Sequence, residues 1–127
     1  MLSVCKTFEF AYAHKLPNHS GKCKNLHGHQ GTLEIEIIDS LELRRDFPND
    51  ISSEGMIIDF YDLKSMVNSY IIDELDHHYL NDVLDVVPTS ENIVMWIVGK
   101  LTGIFGPSLI RVRVYESPSS WAEWKKE

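Results

Sequence analysis

Four side chains able to hold a metal ion fall close together near the start of the chain: His14, Cys23, His27 and His29. His27 and His29 flank Gly28 at i and i+2, so in an extended backbone both imidazoles leave the same face. His14 ends an alternating stretch that precedes them and can deliver a third imidazole. Three neutral imidazoles leave a tetrahedral ion one open position, the arrangement of a catalytic zinc centre. Copper or nickel would accept the same ligands, with zinc the best fit. Cys23 admits two roles. As a fourth ligand it closes the site and makes it structural. Left unligated beside a cation, its thiol is acidified and becomes a base or nucleophile near neutral pH. A chain with this many apolar strands and helices needs no metal staple to fold, which favours the second role. His19, in the polar loop between, reads as solvated.

Other residues carry weaker signals. Asp76, His77 and His78 are consecutive, and a carboxylate beside an imidazole orients the ring and stabilises its protonated form. Nothing local separates the two histidines. Glu116 ends an alternating stretch of Arg and Val, a position where a carboxylate is ordinarily solvated. Thr89 and Ser90 follow Pro88 and precede Glu91, which reads as a helix start before it reads as a binding site.

These residues sit in a chain of 127 residues, the length of one domain, with 43% hydrophobic and 24% charged residues. That composition excludes disorder. A formal net charge of −7 gives no bulk attraction for nucleic acid or an anionic membrane. The opening M-L-S-V-C-K-T-F-E-F lacks the apolar run of a signal peptide, and no segment approaches bilayer length. The expected location is the cytoplasm, with Cys5 and Cys23 as free thiols and Cys5 a small core or edge residue.

The elements that must position the candidate site follow from periodicity. Residues 7–14 alternate, with Phe8, Phe10, Tyr12 and His14 on one side, and read as a strand. Residues 27–39 resume extended character through Leu33, Ile35 and Ile37. Residues 40–55, broken by Pro48 and Gly55, read as a surface loop or ragged strand extension. Asp59 is a helix N-cap with Asp62 in the first turn. Leu63, Met66, Val67, Tyr70, Ile71 and Leu75 then recur at helical spacing until residues 76–82 break the phase. A second helix runs from the cap at 88–91 through Ile93, Val94, Ile97, Leu101 and Ile104, closed by Gly103, Gly106 and Pro107. Residues 109–116 alternate Ile110, Val112 and Val114 against Arg111 and Arg113, and residues 121–125 return as a final strand. The order is ββααββ. The simplest solution is an α+β domain, a four-stranded antiparallel sheet with both helices on one face. Its open edges and uncovered face make oligomerisation a reasonable expectation.

At the same residues the chain resembles the 6-pyruvoyl-tetrahydropterin synthase family, and within it the bacterial 6-carboxy-tetrahydropterin synthases of queuosine biosynthesis. The matching pieces are F-E-F-A-Y-A-H-K-L, C-K-N-L-H-G-H, G-M-I-I-D-F-Y-D-L-K, L-D-H-H-Y-L-N-D, P-T-S-E-N and V-R-V-Y-E-S-P-S-S-W. They run in order over nearly the whole domain, so residues 1–127 are one tetrahydropterin synthase-like unit. The resemblance implies the tunnelling fold, in which three subunits close a twelve-stranded barrel and two trimers stack as a hexamer. Closure of that kind would remove the open edges. It also implies active sites between subunits.

Carried onto this chain, the resemblance implies zinc on His14, His27 and His29, and Cys23 as catalytic base. It makes His77 the relay histidine, with Asp76 as partner. Glu116 grips the pterin ring and joins the relay, and Thr89 and Ser90 border the pterin pocket. The implied reaction converts 7,8-dihydroneopterin triphosphate to 6-carboxy-5,6,7,8-tetrahydropterin, releasing acetaldehyde and triphosphate. Positive charge for that substrate must be local: the zinc ion, with Lys15, Lys22 and Lys24. The same constellation supports elimination to the pyruvoyl product without carbon–carbon cleavage, and a non-catalytic zinc or pterin-binding module is a further alternative. The short chain favours the carboxy product, and Cys23 disfavours the folate-pathway variant, which carries glutamate there. The stretch 41–53 is longer than the family pattern.

Overall fold

In the computed structural model, residues 1–47 and 55–127 are described. Two long strands, β1 (Ser3–His14) and β2 (His27–Ile38), form an antiparallel pair in register from Ser3↔Ile38 to His14↔His27. The later strands β4 (Leu109–Ser117) and β5 (Ser120–Lys125) continue the sheet antiparallel on the far side of β2. Between them in sequence lies β3 (His78–Tyr79), two residues that pair parallel to β1 through Tyr12↔His78 and Ala13↔Tyr79. The sheet order is β3-β1-β2-β4-β5. The expected four strands are therefore present, and a short fifth strand joins them. Two residues are too few to leave a periodic signal.

Among the described residues three α-helices accompany the sheet. The first, α1 (Leu41–Asp46), replaces part of the loop expected over 40–55. The Ser40 hydroxyl caps it by accepting from Leu43 N at 3.1 Å, and lies 2.5 Å from the Ser108 hydroxyl, which anchors the turn to the chain before β4. The remainder of that expected loop, residues 48–54, lies outside the described residues.

The second helix, α2, starts at Phe60–Val67 with Asp59 as its cap, passes through a π turn at Asn68–Ile72 and ends at Asp73–Leu75. A π turn adds a residue and rotates the following face. Ile71 and Leu75 stay buried in step with Val67, whereas Tyr70, read as inward from the sequence, is exposed. The third, α3 (Ser90–Phe105), starts at Thr89, whose hydroxyl accepts from Asn92 N at 3.1 Å. Gly103 lies inside α3 and does not end it; the chain leaves the helix at Gly106, which has a positive φ. Among the described residues no helix is long and apolar enough to cross a membrane.

Alternation divides the sheet into two faces. Phe8, Phe10, Tyr12, Leu33, Ile35, Ile37, Val112 and Val114 are buried against Leu63, Val67 and Ile71 of α2 and Ile93, Ile97 and Leu101 of α3. A bulge between Glu36 and Ile37 shifts the β2–β4 register. Leu109 thus takes the buried place that simple alternation assigned to Ile110. The opposite face is a charged network. Arg111 reaches Glu36 at 2.8 Å and Glu34 at 2.9 Å, and Arg113 reaches Glu123 at 2.7 Å. Hydrogen bonds from Arg111 and Ser3 hold Glu36 below the ordinary carboxylate range. Cys5 is exposed, with Arg111 Nη2 at 3.5 Å from its sulfur, so it belongs to this outer face and not to the core.

Replacing Thr89 with alanine removes the cap of the helix that backs the sheet. Thr89→Ala is expected to lower the unfolding free energy by about 1 kcal/mol in a urea titration, with Thr89→Ser restoring most of it. Equal stability of all three proteins would show that the hydroxyl does not cap the helix.

Candidate metal centre

Where the inward face of the sheet meets the β1–β2 connection, apolar side chains give way to imidazoles. His14 follows Tyr12 on β1 and sits opposite His27, and His29 sits opposite Tyr12. On β4, Glu116 shares the parity of Val112 and Val114 and so turns to the same side. The three rings stand 4.5 Å (His14–His27), 5.0 Å (His14–His29) and 4.9 Å (His27–His29) apart between centroids. Their planes are inclined by 62° to 86°, like three blades around an axis.

Hydrogen bonds fix which nitrogen is available in two of the rings. His14 Nδ1 lies 2.8 Å from the Pro88 carbonyl and His27 Nδ1 lies 2.7 Å from the Asn25 carbonyl. A carbonyl only accepts, so each Nδ1 carries the proton and each Nε2 keeps its lone pair. The Nε2 atoms of His14, His27 and His29 are all buried and have no hydrogen-bond partner. Glu116 Oε1 approaches His29 Nε2 at 3.1 Å and His14 Nε2 at 3.7 Å without hydrogen-bond alignment. The ligand atoms of these four residues all lie within 4.8 Å of one another. Buried polar atoms are ordinarily satisfied, and three lone pairs converging on one space are what a divalent cation requires. The residues fit such an ion.

Electrostatics agree with the tautomers. Burial holds His14 below the ordinary imidazole range, the neighbouring His27 and His29 push the same way, and the Pro88 bond and Glu116 oppose it. Burial likewise lowers His29, against the pull of Glu116. Both rings are thereby kept neutral, the form that binds metal. Tyr12 stands beside them, edge-on to His14 at 5.2 Å, with its own ionisation pushed upward by burial and by Glu116.

The other candidate residues are placed as follows. Cys23 lies half-buried in a 3-10 turn, Lys22–Lys24, and is a free thiol outside the group of four metal-capable residues. Its backbone carbonyl accepts from Leu16 N at 2.8 Å, which closes the loop between the two strands. Lys15, Lys22 and Lys24 are exposed around that loop, and His19 is exposed, accepting from Gly21 N at 2.8 Å.

Asp76 and His77 form a unit at the end of α2. Asp76 Oδ2 holds His77 Nδ1 at 3.0 Å while Oδ1 accepts from Ala11 N at 2.8 Å. The Ala11 bond, helped by His77, keeps Asp76 below the ordinary carboxylate range. His77 has φ of 59°, uncommon for a residue with a side chain, and its side chain is 81% exposed. His78 Nδ1 instead bonds the Asp76 carbonyl at 2.8 Å. Among the described residues no hydrogen bond or ion pair joins Asp76 or His77 to the three-histidine cluster. Thr89 is occupied as the α3 cap, whereas Ser90 borders a cavity with Glu116, Val94, Met95 and Trp121.

Two supports escape sequence reading altogether, the Pro88 and Asn25 carbonyls, because a main-chain oxygen has no residue signature. Glu116 could have been placed by its parity with Val112 and Val114.

A three-histidine cluster with buried Nε2 atoms and an adjoining carboxylate, built on the end of a sheet backed by helices, defines an α+β protein with a group able to hold a metal ion. The family model described as 6-pyruvoyl tetrahydropterin synthase matches residues 3–127, and the chain belongs to that family. It is 39% identical over 126 residues to the 6-carboxy-5,6,7,8-tetrahydropterin synthase of Synechocystis sp., covering 98% of this chain and 93% of that one. It is 32% identical over 147 residues to the 6-carboxy-5,6,7,8-tetrahydropterin synthase of Haemophilus influenzae, covering 99% of this chain and 100% of that one. Among solved structures, Caenorhabditis elegans 6-pyruvoyl tetrahydropterin synthase superposes with a TM-score of 0.80 at 23% identity, over 99% of this chain and 96% of that one. At that identity the likeness concerns the fold alone, which is the tunnelling-fold subunit.

His27→Ala is expected to reduce bound zinc at least tenfold by elemental analysis after dialysis, and unchanged stoichiometry would count against the centre. For the metal-free protein the pH dependence has a definite sign. His14 and His29 have folded pKa values below the unfolded 6.5, so below that pH the unfolded chain binds more protons. Their contribution to stability is intact above pH 6.5 and declines as pH falls toward the folded values. In denaturant titrations the stability of wild type should fall relative to that of His14→Gln on acidification through that window; parallel curves would contradict it.

Proposed function

We propose that this chain is a zinc-dependent 6-carboxy-5,6,7,8-tetrahydropterin synthase, acting in queuosine biosynthesis. Its substrate would be 7,8-dihydroneopterin triphosphate, and its products 6-carboxytetrahydropterin, acetaldehyde and triphosphate, with water consumed. The observation that carries this reading is the convergence of three unpartnered imidazole nitrogens beside Glu116, in a chain whose relatives bear that name.

His14, His27 and His29 hold the zinc in this reading. When bound, zinc supplies a Lewis acid for a substrate oxygen and stabilises charge developing beside it. The remaining chemistry belongs to side chains. Glu116 offers two oxygens that can accept parallel hydrogen bonds from the amidine edge of a pterin. Cys23, free and outside the ligand group, takes a proton from the substrate side chain as thiolate. His77, held through Nδ1 by Asp76, presents Nε2 to return protons. Triphosphate leaves by elimination, and a retro-aldol-like cleavage then sheds the two-carbon fragment.

The exposure of His77 suits a site completed by neighbouring subunits. So do the sheet edges left open at β5 and along β1 beyond β3. We place the chain in a hexamer, two stacked trimers that each close a twelve-stranded barrel, and expect it in the cytoplasm. The pyruvoyl-forming reaction is the second reading, because it needs the same residues; a non-catalytic zinc or pterin-binding module is the third.

Incubation of the zinc-loaded protein with 7,8-dihydroneopterin triphosphate should release acetaldehyde in step with triphosphate. Triphosphate without acetaldehyde would support the pyruvoyl product instead. Cys23→Ala should keep its zinc while turnover falls by at least 100-fold, in the range of lost acid–base catalysis. Loss of metal in that variant would make Cys23 a ligand, and retained turnover would remove it from the reaction. Sedimentation should give the mass of six chains, and a monomer would refute the assembly.

A further inference from the structure

Tyr12 takes no part in the chemistry above, yet its environment is not that of an ordinary core tyrosine. The residue is 4% exposed, and its hydroxyl is buried without a hydrogen-bond partner. Buried tyrosine hydroxyls usually find partners, and phenylalanine would fill the same apolar space without leaving a polar group unmatched. The ring stacks on Phe10 at 5.2 Å and 23°, so packing alone is satisfied without the oxygen.

Its direction is set by the strand opposite. Tyr12 pairs with His29, and its ring lies 5.5 Å from that imidazole and 5.2 Å from His14. The ring leans across β2 over Gly31, where a Cβ would stand 3.0 Å from Tyr12 Cε1 and 3.1 Å from Phe10 Cζ. Glycine at 31 is what makes room for this crossing. Thr32 pairs with Tyr115, so one further step along β4 brings Glu116 alongside Gly31. The phenol therefore runs from β1 over β2 toward the strand that carries Glu116. The unpartnered oxygen joins the three unpartnered Nε2 atoms as a fourth buried polar atom of the same end of the core.

We propose that the Tyr12 hydroxyl is a ligand-binding group of this centre, donating a hydrogen bond to a lone-pair atom of the molecule that binds beside His29 and Glu116. Resting on the function proposed above, that molecule is the pterin substrate, and Gly31 serves the site by leaving the ring its path. The hydroxyl is unmatched in the free protein and matched in the complex, so removing it should have opposite effects on the two.

The test is Tyr12→Phe in the full zinc-loaded protein, with neopterin as probe and its fluorescence as readout. Binding should weaken about fivefold to tenfold, the size of one neutral hydrogen bond. Zinc per chain should be unchanged, and the thermal midpoint of the ligand-free protein equal to or above wild type. Equal affinity in wild type and variant would overturn the proposal and leave the pterin reading standing. A lower ligand-free midpoint, or lost zinc, would make the hydroxyl structural and overturn it too. Failure of wild type to bind neopterin would sink the pterin reading, and this proposal with it.

Discussion

The structure turns on the convergence of three imidazole lone pairs at one end of the core, where Tyr12 Oη is the other buried side-chain atom left unmatched among the described residues. Two main-chain carbonyls, of Pro88 and Asn25, make that convergence definite by taking the Nδ1 protons of His14 and His27. They arrive from different parts of the chain, one from the entrance to α3 and one from the loop before β2. The helix cap at Thr89 and the turn at Lys22–Lys24 are thus part of the centre's support, although neither touches the lone pairs. A closed ladder from Ser3↔Ile38 to His14↔His27 does the rest, because a slip of one residue would turn every imidazole to the other face.

Such a site runs against the stability of the free domain. Four buried polar atoms, Tyr12 Oη and the three Nε2 atoms, are left without hydrogen bonds, and burial disfavours the protonated rings. The compensation lies in the layer beneath, where Phe10, Leu33, Ile35, Val112 and Val114 pack against two helices. His77 adds a strained backbone beside the same end of β1, held by the Asp76 and Ala11 hydrogen bonds. Strain and unmet polarity both sit at positions to which the proposed function assigns chemistry, and the ordinary apolar packing lies elsewhere.

Much of this was legible in the residues. Alternation revealed the long strands, and Asp59 and Thr89 announced the two main helices, because short polar caps have a strong local preference. His14, His27 and His29 were readable as a set because i, i+2 spacing on a strand has a single geometric consequence. What escaped had weaker or non-local causes. The π turn turned Tyr70 outward through a backbone insertion that helical periodicity does not encode. The bulge opposite Glu36 exchanged Leu109 for Ile110. Strand β3 was too short to see, and α1 hid in a polar stretch although Ser40 and Glu42 together are a serviceable helix start. Glu116 offered no signal of type, only of parity. The resemblance to a known family supplied its role before the structure placed it beside His29.

The claim on which the rest depends is that these three histidines alone supply the protein's ligands to the ion. X-ray absorption at the zinc edge of the reconstituted protein addresses it directly. The account predicts three imidazole nitrogens at about 2.0 Å, with an oxygen scatterer from solvent completing the shell. A sulfur scatterer at about 2.3 Å would place Cys23 on the metal and contradict it.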